Sequence, residues 1–142
     1  MSAASATPAS STFGEATYPN RLDPSTLAAR FEAVRARTER LASPLSPEDQ
    51  VVQSMDDVSP TKWHRAHTSW FFAEFVLGWN GTSDHRADRP EYRFLYNSYY
   101  DAVGARHPRP NRGLVTRPSV SEVAAYRGAV DVAIEDRFAT GD

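Results

Sequence analysis

The densest apolar segment of the chain is Trp63–Glu74, which has the sequence WHRAHTSWFFAE. Apolar residues nearly surround the axis of a helix built from it, which is typical of a helix at the centre of a bundle. With about 100° between successive residues, Trp63, His67 and Trp70 fall within one face of that helix. The segment therefore predicts a buried central helix that carries a histidine among aromatic rings.

Such a histidine is a candidate metal ligand, because a neutral imidazole donates a lone pair to Zn²⁺, Fe²⁺, Ni²⁺ or Mn²⁺. His67 is predicted to be this ligand, with Trp63 and Trp70 as a dry wall beside it. His64 lies about 60° to the side, so it is expected to reach the surface or to contact the site without binding the metal. A simpler alternative stays open, in which His67 is a hydrogen-bonded core residue. Glu74 is expected to be a supporting or solvated carboxylate.

The first predicted helix begins at Asp23-Pro24, because an aspartate caps free backbone N–H groups and proline suits the first helical position. It ends at Ser43-Pro44. Helical spacing divides its side chains into two sets. The apolar set, expected in the core, is Leu27, Phe31, Val34 and Leu41. The charged set, expected in solvent, is Arg35, Arg37, Glu39 and Arg40.

The last predicted helix begins at Ser119–Glu122, which has the pattern of a capping box. Its apolar stripe is Val123, Tyr126, Val130 and Ile134, which Phe138 extends.

Between the terminal helices the chain predicts a short helix over 46–54, the central helix over 59–78, a polar loop over 79–92 and a short helix or irregular turn over 94–103. No segment shows the alternation of a strand. The predicted fold class is therefore all-α, an antiparallel helical bundle.

Composition narrows the class of protein. The chain has 142 residues, of which 40% are hydrophobic, and its net charge of −2 gives no reason to expect a nucleic acid or an anionic membrane as partner. It has no cysteine, so thiolate ligands and disulfides from this chain are excluded. Residues 1–20 are rich in Ala, Ser, Thr and Pro and are predicted to be a disordered leader without features of a secretory signal. A cytoplasmic protein is the resulting expectation.

A second candidate site is the proline-stiffened loop Arg106–Gly113, which continues to Pro118. Proline reduces the entropy that is lost when neighbouring side chains are fixed. The guanidinium forks of the arginines in this loop can bind carboxylates and phosphates. The alternative is that these arginines pair with acids or are solvated. Asn97–Tyr100 is expected to pack in the core rather than line a pocket, and His107 is expected to be structural.

Three segments, Ser59–Phe72, Tyr96–Gly104 and Arg106–Leu114, resemble the amino-terminal region of the ergothioneine biosynthesis sulfoxide synthases, the hercynine oxygenases. The first domain of that family is a DinB-like four-helix bundle, and the resemblance covers roughly residues 30–134. It implies a non-haem iron(II) enzyme that uses O₂ to join the sulfur of γ-glutamylcysteine or cysteine to hercynine, giving a sulfoxide.

The resemblance also assigns roles to residues. It makes His67 one of three histidine ligands of iron, through the W-x-x-x-H arrangement that begins at Trp63. The other two ligands belong to an H-x-x-x-H-x-E motif on the fourth bundle helix. Arg109 and Arg112 match the segment that holds the carboxylates of the thiol. A carboxy-terminal domain contributes the catalytic tyrosine in that family.

This chain departs from the family pattern. Its four histidines are at 64, 67, 85 and 107, so the H-x-x-x-H-x-E motif is absent, and Arg65 stands where an apolar residue is expected. The expectation is therefore an incomplete DinB-like bundle over 21–142, with three of four main helices and one iron ligand. We expect a fragment that is inactive alone and exposes an apolar groove.

Two alternatives to the oxygenase fragment stay open. The first is a non-catalytic DinB-like module that binds a partner chain or a missing carboxy-terminal domain through the exposed groove. The second is a DinB-like metal-dependent thiol transferase, which ranks last because it needs the same missing histidines.

Overall fold

The computed structural model describes residues 23–141. Its four α-helices are α1 (Pro24–Ala42), α2 (Thr61–Phe75), α3 (Pro90–Tyr96) and α4 (Val120–Thr140). Short 3-10 helices occupy Asp49–Val51, Asp101–Val103 and Arg109–Leu114. Residues 23–141 contain no strand, so the predicted all-α class is confirmed. The leader predicted at residues 1–20 lies outside the described residues.

The ends of the outer helices follow the capping signals. Asp23 Oδ1 accepts a hydrogen bond from the Thr26 backbone N–H at 3.0 Å, and α1 begins at Pro24 as predicted. Ser119 Oγ accepts from the Glu122 backbone N–H at 3.2 Å, while Glu122 Oε2 accepts from the Ser119 backbone N–H at 2.6 Å. Both contacts satisfy backbone donors that the first turn of a helix leaves unpaired.

The central helix is shorter than predicted. It ends at Phe75 rather than near Gly78, because the Leu77 backbone N–H bonds to the Phe72 carbonyl and the Trp79 N–H bonds to the Ala73 carbonyl. Gly78 lies between these two donors with φ +71°, a left-handed conformation that glycine adopts without a steric penalty.

Two of the intermediate predictions are wrong in extent. The helix expected over 46–54 is a single 3-10 turn at Asp49–Val51. The segment 94–103, expected to be a short helix or an irregular turn, is helical only to Tyr96 and is irregular beyond it, apart from the 3-10 turn Asp101–Val103. The helix begins earlier, at Pro90, because Pro90 follows an extended Arg89 and suits the first helical position. The 3-10 helix Arg109–Leu114 lies in the loop for which the sequence predicts no helix.

The core lies between α2 and α4. The buried stripe of α4 is Val123, Tyr126, Val130 and Ile134, as predicted. It packs against the buried residues of α2, which are Trp63, Ala66, Trp70 and Ala73. From α1, Phe31 meets Phe72 edge to face with ring centroids 5.0 Å apart, and it also contacts Phe138 at 6.0 Å. None of the described helices is long and apolar enough to cross a membrane.

The predicted division of α1 into an apolar and a solvated face is wrong for about half of its residues. Leu27, Val34 and Leu41 are exposed, whereas Arg35 is buried, with only 6% of its surface accessible to solvent. The reason is that Arg35 has partners on other helices: its Nε donates to Asp131 at 2.6 Å and its Nη2 to Ser69 at 2.9 Å. A charged position in α1 therefore belongs to the bundle interior.

Two further arginines complete this buried network. Arg65 of α2 binds both carboxylate oxygens of Glu39, at 3.1 and 2.6 Å. Arg127 of α4 pairs with Glu39 at 2.7 Å and donates to the Arg35 carbonyl at 3.1 Å. Glu39, predicted to be solvated, thus joins α1 to both other long helices, and Arg65 is buried through this pairing although an apolar residue was expected at its position.

Candidate functional site

A pocket of about 360 Å³ lies between the first turns of α2 and the 3-10 helix Arg109–Leu114. The side chains that line it are Asp57, Val58, Ser59, Trp63, His64, His67, Ser98, Tyr99, Arg109 and Arg112. Five of the six predicted site residues are therefore at one pocket. The sixth, Trp70, is fully buried behind His67, with ring centroids 5.8 Å apart.

The orientation of the His67 ring is set by one hydrogen bond. Its Nδ1 lies 2.7 Å from the Tyr96 carbonyl oxygen, which can only accept, so Nδ1–H donates and Nε2 keeps a lone pair. Desolvation lowers the pKa of His67, the bond to Tyr96 opposes this, and Arg112 and His64 lower the pKa further. A neutral imidazole held by a backbone carbonyl is the arrangement found in metal-binding histidines.

Two aromatic rings, those of Trp63 and Trp70, pack against the His67 imidazole. Trp63 stacks on His67 with centroids 4.6 Å apart and an interplanar angle of 12°. The Trp63 indole N–H donates to the Leu95 carbonyl at 2.9 Å, which holds the ring in place. Trp63 and Trp70 are both buried, so they exclude water from one side of His67.

His64 lies at the mouth of the same pocket and is exposed, as the sequence predicted. Its ring meets Trp63 edge to face at 5.5 Å. Desolvation lowers the pKa of His64, and the nearby cations Arg112 and Arg109 lower it further. Both effects favour the neutral form of the His64 ring.

Arg112 forms the wall of the pocket next to Trp63. Only 4% of its surface is exposed, and its guanidinium carbon lies 3.5 Å from the centroid of the Trp63 ring. Its Nη1 donates to Ser59 Oγ at 2.8 Å and its Nη2 reaches Ser98 Oγ at 3.4 Å, while its buried Nε has no hydrogen-bond partner among the described residues. Burial, with Arg109 nearby, lowers the pKa of Arg112 to about 10, so the group is charged at neutral pH.

Arg109, like Arg112, contacts uncharged oxygen atoms, which a carboxylate of a ligand could replace. Its Nη2 donates to the Tyr99 hydroxyl and its Nη1 reaches the Asp57 carbonyl at 3.5 Å. This hydrogen bond to Tyr99 is the main reason why the pKa of Tyr99 is lowered. In the described part of the chain neither Arg109 nor Arg112 forms an ion pair, whereas Arg106 pairs with Asp101 at 2.6 Å. The two pocket arginines can therefore accept a carboxylate from a ligand.

The sequence missed the pocket role of Ser98 and Tyr99. Asn97, in the same patch, is fully buried as expected and donates to the carbonyls of Tyr100 and Gly104. Tyr99 is exposed and turns toward the pocket. Residues 97–100 are two polar residues followed by two tyrosines, and nothing in this order separates the buried Asn97 from the exposed Tyr99.

Other candidate residues lie away from the pocket. His85 stacks on Trp79 at 3.8 Å, and His107 Nε2 contacts the Asn111 carbonyl at 2.9 Å, which fits the structural role expected for His107. Glu74 is held by Arg93 at 3.1 and 2.9 Å and is not part of the pocket lining. Over residues 23–141 no three His, Asp or Glu side chains converge as a metal site.

The sequence itself matches a known family. Residues 30–142 match the family model described as the DinB superfamily. No curated protein matches the chain.

Proposed function

The chain belongs to the DinB superfamily, and within it we propose that it is the metal-binding amino-terminal domain of a non-haem iron(II), O₂-dependent sulfoxide synthase. The reaction proposed for the whole enzyme joins a cysteine-type thiol to hercynine, as in ergothioneine biosynthesis. The small-molecule partners are therefore the thiol and hercynine, and the cofactor is Fe(II).

One observation carries this proposal. The pocket brings a neutral imidazole with an open Nε2, that of His67, to the same cavity as Arg109 and Arg112. These groups come from segments about 40 residues apart and have different chemistry. An imidazole binds a metal and guanidinium groups bind carboxylates, so the pair suits a ligand with a metal-binding end and a carboxylate end.

The donor set fits iron only in part. A facial iron site needs three protein ligands, and His67 supplies one of them. Of the other three histidines, His85 and His107 are held elsewhere, and His64 is proposed to contact the site without binding the metal. We therefore propose that the remaining ligands come from outside these 142 residues. When bound, iron(II) would supply O₂ activation and a coordination position for the thiol sulfur.

The roles of the chain's own residues follow from their contacts. His67 is proposed to bind the metal through Nε2, with its Nδ1–H kept on the Tyr96 carbonyl. Arg109 and Arg112 are proposed to bind the carboxylate of the thiol in place of their present hydroxyl and carbonyl partners. Trp63 and Trp70 keep water away from the covered face of the imidazole.

Anaerobic titration with Fe(II), followed by NMR, tests the metal role of His67 on the chain as it is. Paramagnetic broadening is expected for the His67 ring protons before those of His85, which stacks on Trp79 outside the pocket. His67→Ala should abolish the early broadening around the pocket, and the matched control His85→Ala should retain it. Equal broadening of all four histidines in the unmodified chain would refute the assignment.

Reading the coding sequence on either side of this chain tests whether the proposed additional iron ligands are encoded nearby. An H-x-x-x-H-x-E helix is expected downstream of residue 142 in one of the three frames, or in an adjacent gene. Its absence from both places would count against the oxygenase and in favour of the second candidate.

The second candidate is a non-catalytic DinB-like module that binds a partner chain. The observation in its favour is that large apolar side chains remain exposed on α1, among them Val34 at 65% and Leu41 at 69%. Exposed apolar patches mark interaction surfaces. Size-exclusion chromatography with the product of a neighbouring gene tests this candidate, and a stable monomer that forms no complex would contradict it.

A further inference from the structure

We propose that Gln53 is a positioning residue that holds Arg109 and Arg112 in register with His67. This inference rests on the proposed role of the two arginines as ligand-binding groups. Gln53 lies in the extended segment after the first 3-10 helix, and it neither lines the pocket nor belongs to the motifs that resemble the family.

The side-chain amide of Gln53 spans the helix that carries both arginines. Its Nε2 donates to the Arg109 carbonyl at 2.8 Å, and its Oε1 accepts from the Gly113 backbone N–H at 2.6 Å. These contacts lie near the two ends of the 3-10 helix Arg109–Leu114 and join segments 56 and 60 residues apart in the sequence. One amide group therefore fixes the start and the end of the helix together.

Close packing supports the same contact. A Cβ atom at Gly113 would lie 2.8 Å from the Cβ of Gln53, which is closer than real carbon atoms approach. Gly113 does not have a positive φ, so the glycine is needed for the approach of Gln53 rather than for its backbone conformation. The helix can dock against Gln53 only because this position lacks a side chain.

The contact reaches His67 in three steps. Gln53 fixes the 3-10 helix, the helix carries Arg112, and the Arg112 guanidinium lies 3.5 Å from the centroid of the Trp63 ring. Trp63 in turn stacks on His67 at 4.6 Å. A shift of the helix would therefore move Arg112 off Trp63 and change the distance between the arginines and the imidazole. Small displacements of positioning groups have large effects on ligand geometry.

NMR of the Arg112 side chain measures this position without any ligand. Protons above the face of an indole ring are shifted upfield by its ring current, so the Nε proton of Arg112 is expected at an unusually high field. Gln53→Met keeps the length of the side chain and removes both hydrogen bonds, and it should abolish this shift. Gln53→Asn keeps the amide but cannot reach both backbone groups, so it should abolish the shift too.

Gln50→Met is the matched control. Gln50 is buried and bonds to Arg65 at 2.9 Å and to the Leu45 carbonyl at 3.2 Å, away from the pocket. This variant should lose stability while the Arg112 resonance stays in place. A merely structural role of Gln53 would make the two methionine variants behave alike.

The outcomes separate the inference from the proposed function. If both Gln53 variants keep the upfield Arg112 proton, or if both unfold, Gln53 does not position the arginines and the inference fails. Calorimetric titration with γ-glutamylcysteine then tests the ligand: affinity should fall about tenfold in Gln53→Met, as expected for a lost hydrogen bond of about 1.4 kcal/mol. No binding by the unmodified chain would count against the proposed function, and the Arg112 resonance alone would then decide whether Gln53 positions the arginines.

Discussion

Two sets of arginines in this molecule, one between the long helices and one in the pocket, differ in their partners. Arg35, Arg65 and Arg127, between the long helices, bind the carboxylates of Asp131 and Glu39. Arg109 and Arg112, in the pocket, contact only hydroxyl groups, a backbone carbonyl and aromatic rings. The same residue type therefore serves two purposes, and the partner distinguishes them.

The two sets differ in energy because an arginine that is buried without a carboxylate partner carries an uncompensated charge. A guanidinium group that is removed from water needs a carboxylate to offset the loss of hydration, and the bundle network supplies two. Asp57 lines the pocket, but among the described residues no carboxylate lies within ion-pair distance of Arg112, so Arg112 keeps a positive charge that a ligand can neutralise. The burial of Arg112 without an acid partner therefore supports the proposed binding site more directly than the number of arginines in its loop.

The largest expected effect is the loss of a network arginine. Arg35→Met should lower the free energy of unfolding by about 3 kcal/mol, because it leaves the partly buried carboxylate of Asp131 without its partner and removes the hydrogen bond to the buried Ser69. Urea unfolding measures the change. Arg37→Met, at an exposed position of the same helix, is the control and should change stability little. A loss of less than about 1 kcal/mol, the range of surface pairs, would mean that Arg35 behaves as a surface residue.

For a pocket arginine, substitution should reduce ligand affinity more than it reduces the stability of the fold. Arg112→Met should weaken binding of γ-glutamylcysteine by about 2 kcal/mol, the value of a charge-assisted hydrogen bond, and cost only about 1 kcal/mol of stability. Calorimetry and urea unfolding measure the two quantities in parallel. If stability falls more than affinity, Arg112 belongs with the network arginines and the comparison between the two sets breaks down.

The sequence predicted what depends on near neighbours along the chain. The caps at Asp23 and Ser119 involve residues three positions away, and the buried stripe of α4 follows from helical spacing alone. The face of α1 could not be predicted, because Arg35 is buried through a partner 96 residues away. A charged residue is placed by its partners, and the partners are not adjacent in the sequence.

The same distinction applies to the site. His67 could be located from its spacing to Trp63 and Trp70 on one helix face. The arginine loop could be located from its composition, and the resemblance to the sulfoxide synthases singled out Arg109 and Arg112 within it. Tyr99 could not, because its direction depends on the irregular segment that Asn97 holds through the Tyr100 and Gly104 carbonyls. Gln53 was missed for the same reason: its two partners lie 56 and 60 residues away.

A smaller effect tests whether the partners of Arg109 are replaceable. Tyr99→Phe removes the hydroxyl that Arg109 binds, so a carboxylate no longer has to displace it. Affinity for γ-glutamylcysteine should rise up to about fivefold, corresponding to a net hydrogen bond of about 1 kcal/mol. Tyr100→Phe is the neighbouring control, since Tyr100 packs on Phe75 at 4.8 Å. Weaker binding by Tyr99→Phe would mean that the hydroxyl contacts the ligand itself.

The smallest effect concerns an exposed arginine, which has a carboxylate partner but gains little from it. Arg117 pairs with Glu122 at 3.0 Å in solvent, where such pairs contribute weakly. Hydrogen bonds from the Ser119 backbone and side chain, ahead of Arg117, lower the pKa of Glu122 from 4.5 to about 2. A lowered pKa means that the carboxylate stabilises the fold above pH 4.5 and that this stabilisation is lost as the pH falls toward 2.

Arg117→Ala should therefore leave most of the acid dependence of unfolding unchanged, whereas Glu122→Gln should remove the part that Glu122 contributes. If the two variants flatten the pH profile equally, the ion pair with Arg117, rather than the helix cap, keeps Glu122 charged. An exposed arginine would then depend on its carboxylate partner as strongly as Arg35, Arg65 and Arg127 do.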